Sequence, residues 1–226
     1  GLLCDIARNN FDKLGLHHIA VINGNSEELL TTLPQQDWIF IDPARRDGDG
    51  RKVVALSDCE PNILELNLLS KADMAMVKCS PMLDITMACR QLGCVSDIYI
   101  VSVNNECKEL LLVLNSSCFT TVTTHCVNFL KDGGTQMFSF TQDEEEFAGT
   151  SYCNEVGRYL YEPNASVQKA GCPKSLSKYH VDKLHPNSHL FTSDNLIESF
   201  PGRRFKVVEV HGFSKEDIKK ISALGK

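Results

Sequence analysis

Trp38-Ile39-Phe40-Ile41-Asp42-Pro43-Ala44-Arg45-Arg46 is the stretch that decides how this chain folds. Four apolar residues read as a buried strand, and Asp-Pro ends it at once, since proline has no N–H to give to a ladder. A carboxylate is thereby held at the strand end, with two guanidinium forks, suited to carboxylate or phosphate, close behind it. The proline also leaves the next carbonyls without competing internal donors.

The same change from apolar to polar occurs on either side. His18-Ile19-Ala20-Val21-Ile22 reads as a strand that breaks into Asn23-Gly24-Asn25, and Met74-Ala75-Met76-Val77 as one that breaks into Lys78-Cys79-Ser80-Pro81. Helical spacing or caps predict helices over 2–14, 27–33, 61–70 and 82–92, the first and last of them stopped by Gly15 and Gly93. Strands alternating with helices imply an α/β fold with a parallel sheet covered on both faces. Asp97 to Val103 and Glu109 to Leu114 form a hairpin-type pair, which places an antiparallel strand at the sheet edge, and Thr120 to Phe129 adds a further strand-like run. Ligands in open α/β sheets bind beyond the carboxyl ends of the strands, so the three polar strand ends together form the candidate site.

Asp143-Glu144-Glu145-Glu146 marks a boundary between residues 1–144 and 145–226. Beyond it, a strand near Tyr159-Leu160-Tyr161, a helix over 165–179, a strand over 205–210 and a last helix capped by Ser214 make a small α+β unit. Charge divides in nearly the same place. Residues 1–150 carry 11 Lys/Arg against 21 Asp/Glu, and residues 151–226 carry 12 against 8, so an acidic part is joined to a basic one. The basic part suits a polyanionic partner, with Arg203, Arg204 and Lys206 beside Phe200 and Phe205 as a candidate RNA-facing patch.

Ten cysteines occur without any Cys-x-x-Cys, and Cys4, Cys79, Cys89, Cys107 and Cys126 sit in apolar runs. They read as reduced thiols in a cytoplasmic protein, with neither a zinc knuckle nor a redox pair. No apolar run approaches the roughly 20 residues of a membrane span, and no ligand set points to a metal.

Five phrases in order carry a resemblance. These are Asp42-Pro43-Ala44-Arg45-Arg46, Lys78-Cys79-Ser80-Pro81-Met82-Leu83-Asp84, Tyr159-Leu160-Tyr161-Glu162-Pro163-Asn164, Leu184-His185-Pro186-Asn187-Ser188-His189 and Phe200-Pro201-Gly202-Arg203-Arg204-Phe205, while Ala7-Arg8-Asn9-Asn10-Phe11-Asp12-Lys13-Leu14-Gly15-Leu16, Ile22-Asn23-Gly24-Asn25 and Ile41-Asp42-Pro43 look like the middle of a class I methyltransferase. Together they resemble a bacterial family of class I methyltransferases that carry a THUMP-like C-terminal domain. The resemblance implies an incomplete Rossmann-like methyltransferase sheet followed by a THUMP-like α+β domain. It implies S-adenosyl-L-methionine as cofactor and methyl transfer to RNA, with a non-catalytic RNA- or protein-binding module as the alternative.

By position, Asn25 would bind the adenine of the cofactor. Asp42-Pro43 would lie between the methionine end of the cofactor and the target atom, and would be catalytic. Arg45, Arg46, Lys78 and Ser80 would hold the substrate. Related enzymes have a second proline and an aromatic after the acid, where this chain has Ala44 and Arg45. The glycine-rich turn and the ribose-binding acid of such folds would lie upstream of Gly1, so the resemblance implies that only part of the cofactor pocket is present and that the fragment alone is inactive.

Overall fold

In the computed structural model, which describes residues 1–45, 53–117 and 121–224, the fold is organised around the hairpin of β3 (Val95–Val103) and β4 (Glu106–Asn115). Its turn is Asn104-Asn105, both at positive φ (53° and 64°), the left-handed conformation that asparagine tolerates and a tight hairpin requires. Around it, β1 (Gln36–Ile41), β2 (Ala72–Cys79), β5 (Thr123–Phe129) and β6 (Thr135–Thr141) complete a six-stranded sheet in the order β1-β2-β4-β3-β5-β6. β1 with β2, and β3 with β5, run parallel; the remaining pairs are antiparallel. The α/β sheet is therefore mixed. The hairpin expected at its edge lies in its middle, with β4 between β2 and β3, because β5 and β6 extend the sheet beyond β3.

A second sheet, ordered β10-β7-β9-β8, is built from β7 (Tyr159–Pro163), β8 (Asp182–Lys183), β9 (Phe191–Ser193) and β10 (Gly202–Lys206). The expected single helix over 165–179 is two pieces, α5 over Ala165–Ala170 and a 3₁₀ turn over Ser175–Tyr179. Gly171, at φ 68°, ends α5 in a left-handed cap, and Pro173 follows. α5 packs across β3, β4 and β5, so one core joins Ile100, Leu110 and Leu112 of the large sheet to Val167, Tyr161 and Phe200 of the small unit. Buried amides seal the seam. Gln136 Oε1 accepts from Asn128 and Asn164, and Gln136 Nε2 donates to the Gly202 carbonyl at 3.0 Å. Gly202 permits this closeness: a Cβ there would lie 2.1 Å from the Glu162 carbonyl oxygen.

The N-terminal side is held differently. α1 (Leu2–Lys13) and α2 (Ser26–Thr32) bury no residue. The expected strand over 18–22 has no ladder partner among the described residues and is not a strand; Arg8 reaches its Val21 carbonyl at 2.9 Å instead. The expected helix over 61–70 does not form either; a 3₁₀ turn at Leu56–Asp58 precedes the span and another, Leu68–Ser70, occupies its last three residues. Asn62 explains this, since its side chain takes the Leu64 N–H and donates to Glu65, a local alternative to helical bonding. α3 (Ile85–Leu92) starts later than the spacing suggests because Asp84 caps it on Met87 N–H. Thr141 and Glu144 form a capping box that opens α4 (Gln142–Phe147), and Ser214 caps α6 (Lys215–Leu224). Cys94 is disulfide-bonded, where the sequence reads a reduced thiol. Among the described residues no helix is long and apolar enough to cross a membrane.

Candidate functional site

The parallel register of β1 and β2 pairs Ile41 with Val77, so the residues that follow each strand emerge side by side at one sheet edge. Lys78 Nζ donates to Asp42 Oδ2 at 2.9 Å and lies 3.7 Å from Glu109 Oε1. Arg45 Nη2 approaches Glu109 Oε2 at 3.8 Å, and Arg45 Nη1 donates to the Cys79 carbonyl at 3.3 Å. Among the described residues, Asp42, Lys78, Glu109 and Arg45 thus meet where β1 and β2 end and β4 begins. The Asp42 hydrogen bond, helped by the pull of Glu109, raises the Lys78 pKa above the ordinary 10.5 despite partial burial and the nearby Arg45, so its ammonium is firmly held. Burial pushes the Cys79 thiol up to about 12, which keeps it a protonated packing residue rather than a nucleophile.

Glu109 is the member of this group that the sequence reading lacks. It sits on β4, and only the insertion of β4 beside β2 brings it to the site. Among the described residues its buried Oε2 makes no hydrogen bond, and the carboxylate faces the cations Lys78 and Arg45.

Beside the charge group opens a cleft of about 600 Å³, lined by Ala44, Arg45, Val53, Val54, Ser80, Pro81, Met82, Glu106, Cys107 and Lys108. Its walls are the loop after β1, the loop after β2 and the first residues of β4. Arg45 and Ser80 share this cleft. Ser80 Oγ accepts from Met82 N–H, and Ser80 carbonyl from Leu83 N–H. Pro43 is buried at the base of the loop. The carbonyls after it do meet internal donors: Ala44 O takes Glu60 N–H at 3.0 Å and Arg45 O takes Val53 N–H at 3.0 Å. The half-exposed Asp42 side chain is the acceptor this edge presents. Any anion entering the cleft competes with Asp42 and Glu109 for Lys78 and Arg45.

Asn25 does not line this cleft. Its side-chain oxygen caps α2, accepting from Glu27 and Glu28 N–H at 2.7 and 3.2 Å, which commits that oxygen and leaves its NH2 as the donor for a ligand. Arg46 lies outside the described residues. The Arg203, Arg204 and Lys206 row lies on β10, at the edge of the small sheet, where Arg203 pairs with Glu162 and Arg204 donates to the Glu198 carbonyl.

Over 210 residues, 91% of this chain, it is 23% identical to an uncharacterized S-adenosylmethionine-dependent methyltransferase found in two strains of Mycobacterium tuberculosis. A crystal structure of a candidate methyltransferase from Porphyromonas gingivalis matches with a TM-score of 0.80 and 33% identity over 91% of this chain. The chain is similar to methyltransferases in sequence and in fold. It spans about half the length of these relatives, 55% of the curated ones and 52% of the solved one. A family model of a ferredoxin-like domain matches residues 159–201, that is, β7 through the approach to β10.

Proposed function

We propose that this chain carries the acceptor-facing side of an S-adenosylmethionine-dependent methyltransferase that acts on RNA in the cytoplasm. The observation that carries the reading is the sheet edge itself: Asp42-Pro43 ends β1 beside Lys78 and Ser80 at the end of β2, in a chain similar to methyltransferases over nine-tenths of its length.

The residues present fit one side of the cofactor. Asp42 is exposed enough to take a second donor such as an ammonium, and the Asn25 NH2 is a donor for an acceptor nitrogen of adenine. When bound, the cofactor supplies an electrophilic methyl group on a sulfonium. The chain contributes positioning, which is the main requirement of an in-line transfer. Lys78 fixes Asp42 in direction through its hydrogen bond, Pro43 anchors the loop, and Arg45 and Ser80 set the cleft wall against which an acceptor rests. The ferredoxin-like unit, in the place of a THUMP-like domain, takes the RNA-facing role through the exposed row Arg203, Arg204 and Lys206 in the part of the chain with excess positive charge.

Because the chain spans half the length of its relatives, calorimetric titration with S-adenosylmethionine is run on two chains. One is these 226 residues; the other is the same chain joined to the part of the Porphyromonas gingivalis protein that the match leaves uncovered. Binding by the joined chain that Asp42→Asn abolishes supports the reading, and binding by neither chain sinks it in favour of a non-catalytic module. For RNA, affinity that falls steeply with salt, and falls further when Arg203, Arg204 and Lys206 are all changed to Gln, is expected. Affinity insensitive to both refutes the RNA assignment.

A further inference from the structure

Two of the three cleft walls are held from outside the large sheet, by one short helix of the ferredoxin-like unit. Lys169, in the last turn of α5, donates through Nζ to the Leu83 carbonyl at 2.9 Å. Leu83 closes the Ser80–Leu83 turn, whose own bonds are Leu83 N–H to the Ser80 carbonyl and Met82 N–H to Ser80 Oγ. At the other end of α5, Ala165 N–H donates at 2.8 Å to Asn105 Oδ1, in the β3–β4 turn that leads directly into the cleft residues Glu106, Cys107 and Lys108. The positive charge of Lys169 also bears on Cys107, a cleft residue whose thiol is pushed up mainly by burial and pulled back by that charge. Lys169 therefore stands at the junction of both walls, although it lies 86 residues beyond Leu83 in sequence and lines no part of the cleft.

We propose that Lys169 is a positioning residue for the cleft, and that α5 uses it together with the Asn105–Ala165 contact to fix the Ser80–Leu83 loop and the β3–β4 turn at a set spacing. The ferredoxin-like unit then serves as the back support of the site as well as a neighbour of it. A lysine suits this task because the carbonyl needs one charged donor carried at the end of a long stem. The partial burial of the contact makes it worth more than an exposed pair, while leaving the loop short of a permanently locked state. The functional meaning of this support rests on the proposed acceptor role of the cleft; the contacts themselves do not.

Amide hydrogen exchange on the intact chain tests the assignment without any methyl-transfer assay. Lys169→Met is expected to speed exchange at Met82 and Leu83 by about tenfold or more, while β7 and β9 keep their protection and Lys169→Arg restores the loop. Asn105→Gly, which suits the positive φ and removes only the side-chain acceptor, is expected to speed exchange at Ala165 and in the turn. Unchanged protection at Met82 and Leu83 in Lys169→Met overturns the proposal, as does loss spread evenly over the small unit or failure of arginine to restore the loop. In the joined chain, Lys169→Met is expected to lower methyl transfer with cofactor affinity unchanged. If the wild type transfers no methyl group, the acceptor reading fails and the exchange data still decide the role of Lys169.

Discussion

α2 and α5 are the same device in two settings: each is a short helix opened by an asparagine whose side-chain oxygen caps it. Asn25 caps α2 in the open, and α2 buries nothing. Asn164 is 1% exposed; its oxygen takes Val167 N–H and the Ser166 hydroxyl, and its NH2 reaches Gln136 across the seam between the sheets. The local motif settles where a helix begins. Whether that helix holds the molecule together depends on where the other half of the amide points. The contrast extends to the flanking regions, for Trp38 and Phe40 of β1 are 53% and 61% exposed while Phe200 and Tyr161 are sealed in a ring cluster.

The contrast is tested hardest by cutting one large ring on each side. Phe200→Ala removes a ring that packs against Tyr161, Tyr179 and Phe191 and is expected to destabilise the chain by about 3–5 kcal/mol. Trp38→Ala is expected to stay within about 1 kcal/mol. Urea unfolding of both variants decides the matter, and similar midpoints would mean that the edge strand is held as firmly as the core. Next come the caps: Asn164→Ala should cost about 2–3 kcal/mol, a lost cap plus an unpaired buried amide, and Asn25→Ala about 0.5–1 kcal/mol. Thermal melts measure that gap, and equal losses would mean that the two caps hold the molecule equally.

The smallest effect belongs to the sheet edge between them. Asp42→Asn breaks a partly exposed pair and should shift stability near neutral pH by no more than about 1 kcal/mol. Its signature lies in alkali. Lys78 has a folded pKa above its ordinary value, so its contribution is complete below pH 10.5 and is lost as pH rises through the raised pKa. Wild type should therefore lose melting temperature above pH 10.5 more steeply than Asp42→Asn, and parallel pH profiles would show that the pair does not govern Lys78.

Strands were legible wherever apolar residues ran unbroken. The sequence reading finds β1, β2, β3, β4 and β5 within a few residues, and it sees the Asp42, Lys78 and Ser80 edge because each strand turns polar abruptly. It passes over β6, whose Gln136-Met137-Phe138-Ser139-Phe140 alternates as a half-buried strand should. It joins α5 to the following turn despite Gly171 and Pro173, and it makes a strand of 18–22, where apolar content is present and a ladder is not. Glu109 was out of reach for a different reason. Its strand was recognised, but a hairpin placed at the sheet edge keeps β4 away from β2, so no spacing along the chain connects Glu109 to Lys78.

The central place of β4 also orders the assembly of the fold in time. The β3–β4 hairpin closes through a two-residue turn and is the most local pairing in the large sheet, so its loop closure is the least demanding. The β1–β2 pair has no direct contact with β3 in the ladder and must dock on the far side of β4. Loop closure alone therefore leads us to expect folding to start in this hairpin and spread towards both ends, which φ-values at β3 and β4 above those at β1 would bear out. On that order the sheet edge that bears Asp42 and Lys78 forms after the strand that carries Glu109 is in place.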